Sequence, residues 1–281
     1  MTNVAHDEAI TRSDSGRLLA EPDRAAQYER DGVLLVPGLL DADETAHIRE
    51  VFTTTVEADT SLGFDDQVAD TDILKRYPRF VHPHRHRDRE VGELAWRYLL
   101  DRRLGDIVAE LIGPWWAAQS MFYFKPPGAR GQALHQDETS LRTHPETCVA
   151  AWIAIDPCDD ANGSLTVVPG SHREDLLCTS PADPDDSFAG RGISLPDAAE
   201  RVSTEMAPGD VLFFHGHLVH GSHRNTTTDR FRRSLIFHYV PQTSQRVAGF
   251  YDPLVAPDGR TVTIDPSANG GPCGAEWQTL D

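Results

Sequence analysis

The hydrophobic pattern of the chain changes near residue 113. Before that point, apolar positions recur mostly at helical spacing. The first such stretch starts at Ala25 and is broken by Asp31-Gly32; Val33 to Leu40 is then a short apolar run with a Pro-Gly turn inside it. Asp41 opens a second helical stretch, DADETAHIREVFTTTVEA, and Glu44 three residues on predicts a capping box. Residues 60–90 are irregular and polar. Glu93 to Ile112 predicts two helices with a break near Asp101, stopped by Gly113-Pro114. After Pro114, short apolar or alternating runs follow at 116–124, 148–155, 164–168, 210–214 and 234–240, punctuated by Gly, Pro, Asn and Asp. That is the pattern of an all-β sandwich or barrel. Residues 172–207, rich in Pro, Asp and Ser, predict a long loop between strands.

The expected chain is therefore mainly β with a helical N-terminal part. Residues 1–22, polar and aperiodic, predict a flexible tail. Residues 23–281 predict a single domain: helical support over about 23–113, a β-core over about 114–245, and a C-terminal extension at 246–281. A length of 281 residues suits one large domain, and 39% apolar residues suffice for a core. With 26 basic against 44 acidic residues the net charge is −18, which argues against nucleic-acid and anionic-membrane partners. No apolar run reaches the length of a membrane span, and the N-terminus lacks the apolar region of a secretory signal. A cytoplasmic protein is expected. Cysteines 148, 158, 178 and 273 form no CxxC pair, and reduced, packed thiols are expected.

Thirteen histidines make chance pairs common, so placement decides which of them matter. His135-Gln136-Asp137 follows a predicted strand and a glycine-containing turn. In an extended segment, residues i and i+2 point the same way, so His135 and Asp137 can present an imidazole and a carboxylate to one ion. A second imidazole must come from elsewhere. The segment GDVLFFHGHLVHGSHRN offers four, at 215, 217, 220 and 223. Two histidines and one carboxylate form the facial set that holds non-haem Fe(II) and leaves positions open.

Seven pieces then occur in order: KPPG (125–128), HQD (135–137), AWIAID (151–156), NGSLTVVPGSH (162–172), GDVLFFHG (209–216), HGSHRN (220–225) and RFRRSLIFHY (230–239). In this the chain resembles the phytanoyl-CoA dioxygenase family of Fe(II)/2-oxoglutarate oxygenases, over roughly residues 26–245. The resemblance implies a double-stranded β-helix, a cupin-like jelly-roll core flanked by helices. It implies Fe(II), 2-oxoglutarate and O2 as the cofactor and co-substrates, with ascorbate supporting activity. It assigns the metal to His135, Asp137 and His220. His215 matches a turn that carries no ligand, and His217 and His223 have no ligand role in the pattern. The far carboxylate of 2-oxoglutarate falls to Arg232, with Arg233 as runner-up if the strand register shifts by one and Arg230 at the surface. Arginine suits the task because its planar fork pairs with a carboxylate through two bonds. Ser222 is implied to help hold the same carboxylate, and Gln119 and Trp152 to line the pocket. The implied reaction is oxidation of a small molecule, most often hydroxylation, with desaturation, cyclisation, epimerisation and ketone formation as alternatives, coupled to conversion of 2-oxoglutarate to succinate and CO2. An intact Asp137 argues against halogenation, for which relatives carry a small residue there.

Rival readings are weaker. There is no GxSxG for a serine hydrolase and no GxGxxG for a nicotinamide enzyme. A silent jelly-roll binding protein has no need of the full set His135, Asp137, His220 and Arg232. A Zn(II) or Ni(II) cupin has no need of Arg232 and Ser222. The tract His82, His84, His86, with arginines between, predicts a solvated loop. The acidic runs Asp65, Asp66, Asp70, Asp72 and Asp183, Asp185, Asp186 predict solvated surface. Substrate identity and oligomeric state are not legible in the residues.

Overall fold

A computed structural model describes residue 18 and residues 20–64, 68–145, 147–196 and 198–267. Two antiparallel sheets face each other, the jelly-roll arrangement expected. Among the described residues the larger has nine strands, in the order Val33–Val36, Val211–His215, Val149–Ala154, Ser234–Pro241, Trp115–Tyr123, Leu254–Val255 and Thr261–Val262, with Arg79–Val81 and Gly63–Phe64 branching from Trp115–Tyr123. The smaller runs Val202–Ser203, Leu165–Val167, His220–Ser222 and Gln132–His135.

The period of two along each strand sorts residues between two cores. In Val149–Ala154, Val149, Ala151 and Ile153 join a core shared with the helices, while Ala150, Trp152 and Ala154 face the smaller sheet. In Ser234–Pro241, Leu235, Phe237 and Tyr239 face the helices and Ile236 faces inward. This strand is buried along its whole length, which is why it reads as an apolar run broken only by Ser234 and His238.

The helices cover the outer face of the larger sheet. Arg24–Asp31 ends at Gly32, whose φ of 72° lies in the left-handed region that favours glycine. Ala42–Ala58 begins with the predicted capping box: the Asp41 carboxylate accepts from Glu44 N at 2.8 Å, and Glu44 accepts from Asp41 N at 3.0 Å. The predicted break is real, since Asp101 separates Glu90–Leu99 from Arg102–Ile112 and caps the latter. Phe52 lies flat on Phe122 of the sheet, with ring centroids 4.0 Å apart and planes 4° from parallel, and is fully buried. Phe52→Ala is expected to cost about 3–5 kcal/mol, measured by urea denaturation. A loss under about 1 kcal/mol would mean that the helix is not held by this contact.

Three expectations are corrected. His82 and His84 are buried at 5% and 3% exposure, not solvated. A left-handed turn at His82 (φ 54°) folds the tract back onto Trp115–Tyr123, where His84 Nδ1 hydrogen-bonds Ser120 Oγ at 2.6 Å. Residues 172–207 are not simply a loop, because Thr179–Pro181 pairs with Arg191–Ile193 and Val202–Ser203 joins the smaller sheet. Cys148 and Cys158 are buried thiols as expected, but Cys178, in this same outlying segment and not in either core, is disulfide-bonded. Cys273, Asp65, Asp66 and residues 1–17 lie outside the described residues. Among the described residues, no helix is long and apolar enough to cross a membrane.

Candidate metal centre

His135 ends one strand of the smaller sheet and His220 begins its neighbour; the two are cross-strand partners. Their rings lie 4.2 Å apart. A register shift between His220 and Ser222 breaks the ladder there, as bulges beside functional sites often do. Gly221 makes this possible: a Cβ at that position would meet Gln132 O at 2.8 Å. Asp137 is not in the strand. It has helical backbone angles at the start of Glu138–Leu141, so a turn, rather than strand alternation, swings its carboxylate between the two imidazoles.

The ligand atoms of His135, Asp137 and His220 lie within 4.8 Å of one another. Asp137 Oδ1 is 3.5 Å from His135 Nε2 and 3.7 Å from His220 Nε2. Each histidine turns its Nδ1 to a backbone carbonyl two residues back, at 3.0 Å: Ala133 O for His135 and Leu218 O for His220. Those carbonyls take the Nδ1 protons and leave both Nε2 lone pairs on the cavity side, the support that metal-binding histidines use, with His135 Nε2 accepting from Gln132 Nε2 at 3.0 Å. Burial, reinforced by His135, pushes His220 down to about 4, so its ring is neutral near pH 7. For Asp137, burial acts to raise the carboxyl, but the surrounding imidazoles, with a hydrogen bond from His238 among them, hold the group well below its usual range. The donor set fits a divalent metal of the Fe(II) type.

The other end of the same cavity is cationic. Arg232 is 4% exposed; it donates to Gly163 O at 3.2 Å and Ser234 Oγ at 3.1 Å, and its guanidinium lies 5.3 Å from the Trp152 ring centroid. Beside it, Lys125 Nζ donates to Ser222 Oγ at 2.8 Å and to Gly163 O at 3.1 Å. These acceptors are neutral oxygens. Burial, with Arg232 nearby, pushes Lys125 well below the usual lysine range, as a site short of negative charge would. Ser222 Oγ also accepts from Gln132 N at 3.3 Å, so its own proton is left to donate into the cavity. Gly163, with φ 78°, admits no side chain: a Cβ would meet His223 O at 2.5 Å and Lys125 Nζ at 2.9 Å.

The structure thus brings His135, Asp137, His220, Ser222, Arg232 and Trp152 to one cavity. Gln119 is buried in an adjoining recess with His238 and Tyr251. Arg232 and Arg233, in the segment that leads into Ser234–Pro241, face opposite ways: Arg233 points away from the cavity and clamps Asp156 at 2.9 and 3.0 Å. Arg230 pairs with Asp159 at the surface. His215 turns away, towards Tyr28 and His172, and His223 is exposed. Sequence reasoning missed two groups. Lys125 was visible as one of only two lysines, inside KPPG. His238 was visible as a histidine on the inward parity of the last core strand; its Nε2 lies 2.9 Å from Asp137 Oδ2.

Two buried histidines, His82 and His84, and the half-buried His215 make an acid-stability prediction. Burial above all pushes His82 to about 2 and His84 and His215 to about 3. Their folded values lie below the unfolded 6.5, so unfolding takes up protons. Stability should be full above pH 6.5 and fall as pH drops from there towards 3. Urea midpoints across that range check it, and His215→Gln should reduce the proton uptake by one. A flat profile would show that these rings charge freely in the folded protein.

The phytanoyl-CoA dioxygenase family model matches residues 28–234. Phytanoyl-CoA dioxygenase 1 of Oryza sativa subsp. japonica is 35% identical over 123 residues, 43% of this chain and 43% of its own length. The match thus spans less than half of that relative. Ectoine dioxygenase of Stutzerimonas stutzeri (strain A1501) is 27% identical over 253 residues, 83% of this chain and 81% of its own. Among solved structures, the epimerase SnoN in complex with Fe3+, alpha ketoglutarate and nogalamycin RO shares the fold, with a TM-score of 0.63 and 23% identity over 90% of this chain and 95% of that one.

Proposed function

Because the chain belongs to the phytanoyl-CoA dioxygenase family, we propose that it is an Fe(II)- and 2-oxoglutarate-dependent dioxygenase of a small molecule, releasing succinate and CO2. The observation that carries this reading is the joining, in one cavity, of a two-histidine, one-carboxylate set to a buried cationic seat. His135, Asp137 and His220 would hold the iron. When bound, iron with 2-oxoglutarate supplies the oxygen activation that side chains lack. Arg232 would take the far carboxylate of 2-oxoglutarate through two bonds, and Ser222, held by Lys125, would donate a third. Trp152 backs the guanidinium and keeps water from it. Residues 23–281 act as a single catalytic domain in the cytoplasm on this reading, with ascorbate in support.

The cavity walls beyond the metal set include Met121, Phe188, Phe214 and Ile236, so the substrate has an apolar face. Asp137 occupies the place a halide would need, which argues against halogenation; among the remaining outcomes hydroxylation is the one we favour, with desaturation, cyclisation, epimerisation and ketone formation as its alternatives. A net charge of −18 opposes the polyanionic CoA group, which supports a free molecule, of bacterial specialised metabolism, over an acyl-CoA. Turnover of an acyl-CoA but of no free compound would refute that choice.

The test is an anaerobic titration of the metal-free protein with Fe(II) and 2-oxoglutarate. A weak visible charge-transfer band that requires both additions is expected. If metal binds and no band forms, the protein is a jelly roll without this chemistry.

A further inference from the structure

Asp137 divides its two oxygens between different neighbours. Oδ1 faces the Nε2 atoms of His135 and His220 at 3.5 and 3.7 Å, whereas Oδ2 lies 2.9 Å from His238 Nε2. A carboxylate only accepts, so His238 donates its Nε2 proton and occupies Oδ2. His238 cannot drift from this contact. It is 2% exposed, on a strand paired on both sides, opposite Gln119 on one neighbour and Ala150 on the other.

The division matters because of coordination arithmetic. An octahedral ion has about six positions. Two imidazoles and one carboxylate oxygen leave three, enough for a co-substrate that chelates through two atoms and for oxygen. A carboxylate bound through both oxygens leaves only two, and the chelate and oxygen no longer fit together.

We propose that His238 is a positioning residue that reserves Oδ2 of Asp137, so that the metal receives Oδ1 alone and keeps three positions open. This rests on the iron and 2-oxoglutarate reading above. Removing the donor frees Oδ2 to join the metal. Metal binding then survives, and 2-oxoglutarate binding to the metal-loaded protein suffers.

The experiment compares wild type, His238→Leu and His238→Gln, the last keeping an N–H donor on a side chain of similar reach. Each is loaded anaerobically with Fe(II), titrated with 2-oxoglutarate by its visible band, and separately loaded with Co(II) alone for its absorption spectrum. His238→Leu should bind Fe(II) within a few-fold of wild type but 2-oxoglutarate about 10- to 100-fold more weakly, the range by which losing a ligand's outer partner lowers activity in metal sites. Its Co(II) spectrum should shift, because a second carboxylate oxygen would replace a solvent ligand at one of the six positions, and His238→Gln should restore both. Equal 2-oxoglutarate affinity and an unchanged Co(II) spectrum in His238→Leu would overturn the inference. So would parallel loss of metal and co-substrate in both variants, the pattern of a structural defect. A wild-type protein that binds metal without a band refutes the iron and 2-oxoglutarate reading instead, and the Co(II) spectra alone then decide the role of His238.

Discussion

Replacing Asp137 with alanine is expected to abolish the Fe(II)/2-oxoglutarate band and to lower succinate release by more than about a hundredfold, beyond the usual cost of losing only an outer partner. The carboxylate is the sole anion of the His135, Asp137 and His220 set, and its oxygen bridges the two imidazoles at 3.5 and 3.7 Å. Without it, two neutral rings must hold a dication alone. His220→Ala should do the same, since its Nε2 is aimed by a bond from Nδ1 to Leu218 O that alanine cannot make. The fold should persist, because these side chains contribute little to either core. Circular dichroism and anaerobic metal titration check both variants. A band that survives Asp137→Ala would move the metal elsewhere.

Arg232→Leu and Arg233→Leu are expected to fail in opposite ways, although the residues are adjacent. Truncating one partner of a buried charge pair costs about 2 kcal/mol or more, so Arg232→Leu should weaken 2-oxoglutarate binding by about 30-fold or more. Arg232→Lys should recover only part of this, because an ammonium lacks the planar fork. Arg233→Leu should leave 2-oxoglutarate binding alone and lower stability. It takes the main charge partner from Asp156, which is 6% exposed. Arg49, 3.3 Å from Asp156, remains as a second partner, so about 3 kcal/mol is expected, the low end for breaking a buried pair. Titration of the iron-loaded variants and urea denaturation separate the two. The reverse pattern would mean that the last core strand is out of register by one.

Much of this molecule was legible before any coordinates. Helical spacing and cap chemistry located Ala42–Ala58 and the break at Asp101, because a capping box is local and speaks within four residues. The apolar runs after Pro114 located the main core strands, because a strand buried on both faces is mostly apolar. The ordered pieces named His135, Asp137 and His220, and the choice of Arg232 over Arg233 agrees with the inward parity of Ser234, Ile236 and His238 on the strand that follows.

What one-dimensional reading could not supply is which strands face which. Lys125 meets Ser222 across 97 residues of chain, and His238 meets Asp137 across 101. Such contacts depend on sheet order and register, and no local pattern encodes them. The HPHRHR tract failed for the same reason: its polar composition is that of a solvated loop, and only the fold back onto Trp115–Tyr123 buries His82 and His84. Sequence by itself determined the elements and the metal-type residues, because periodicity and residue chemistry act locally. Tertiary structure alone decided the partners that orient those residues, because pairing between strands remote in the chain sets which side chains share the cavity.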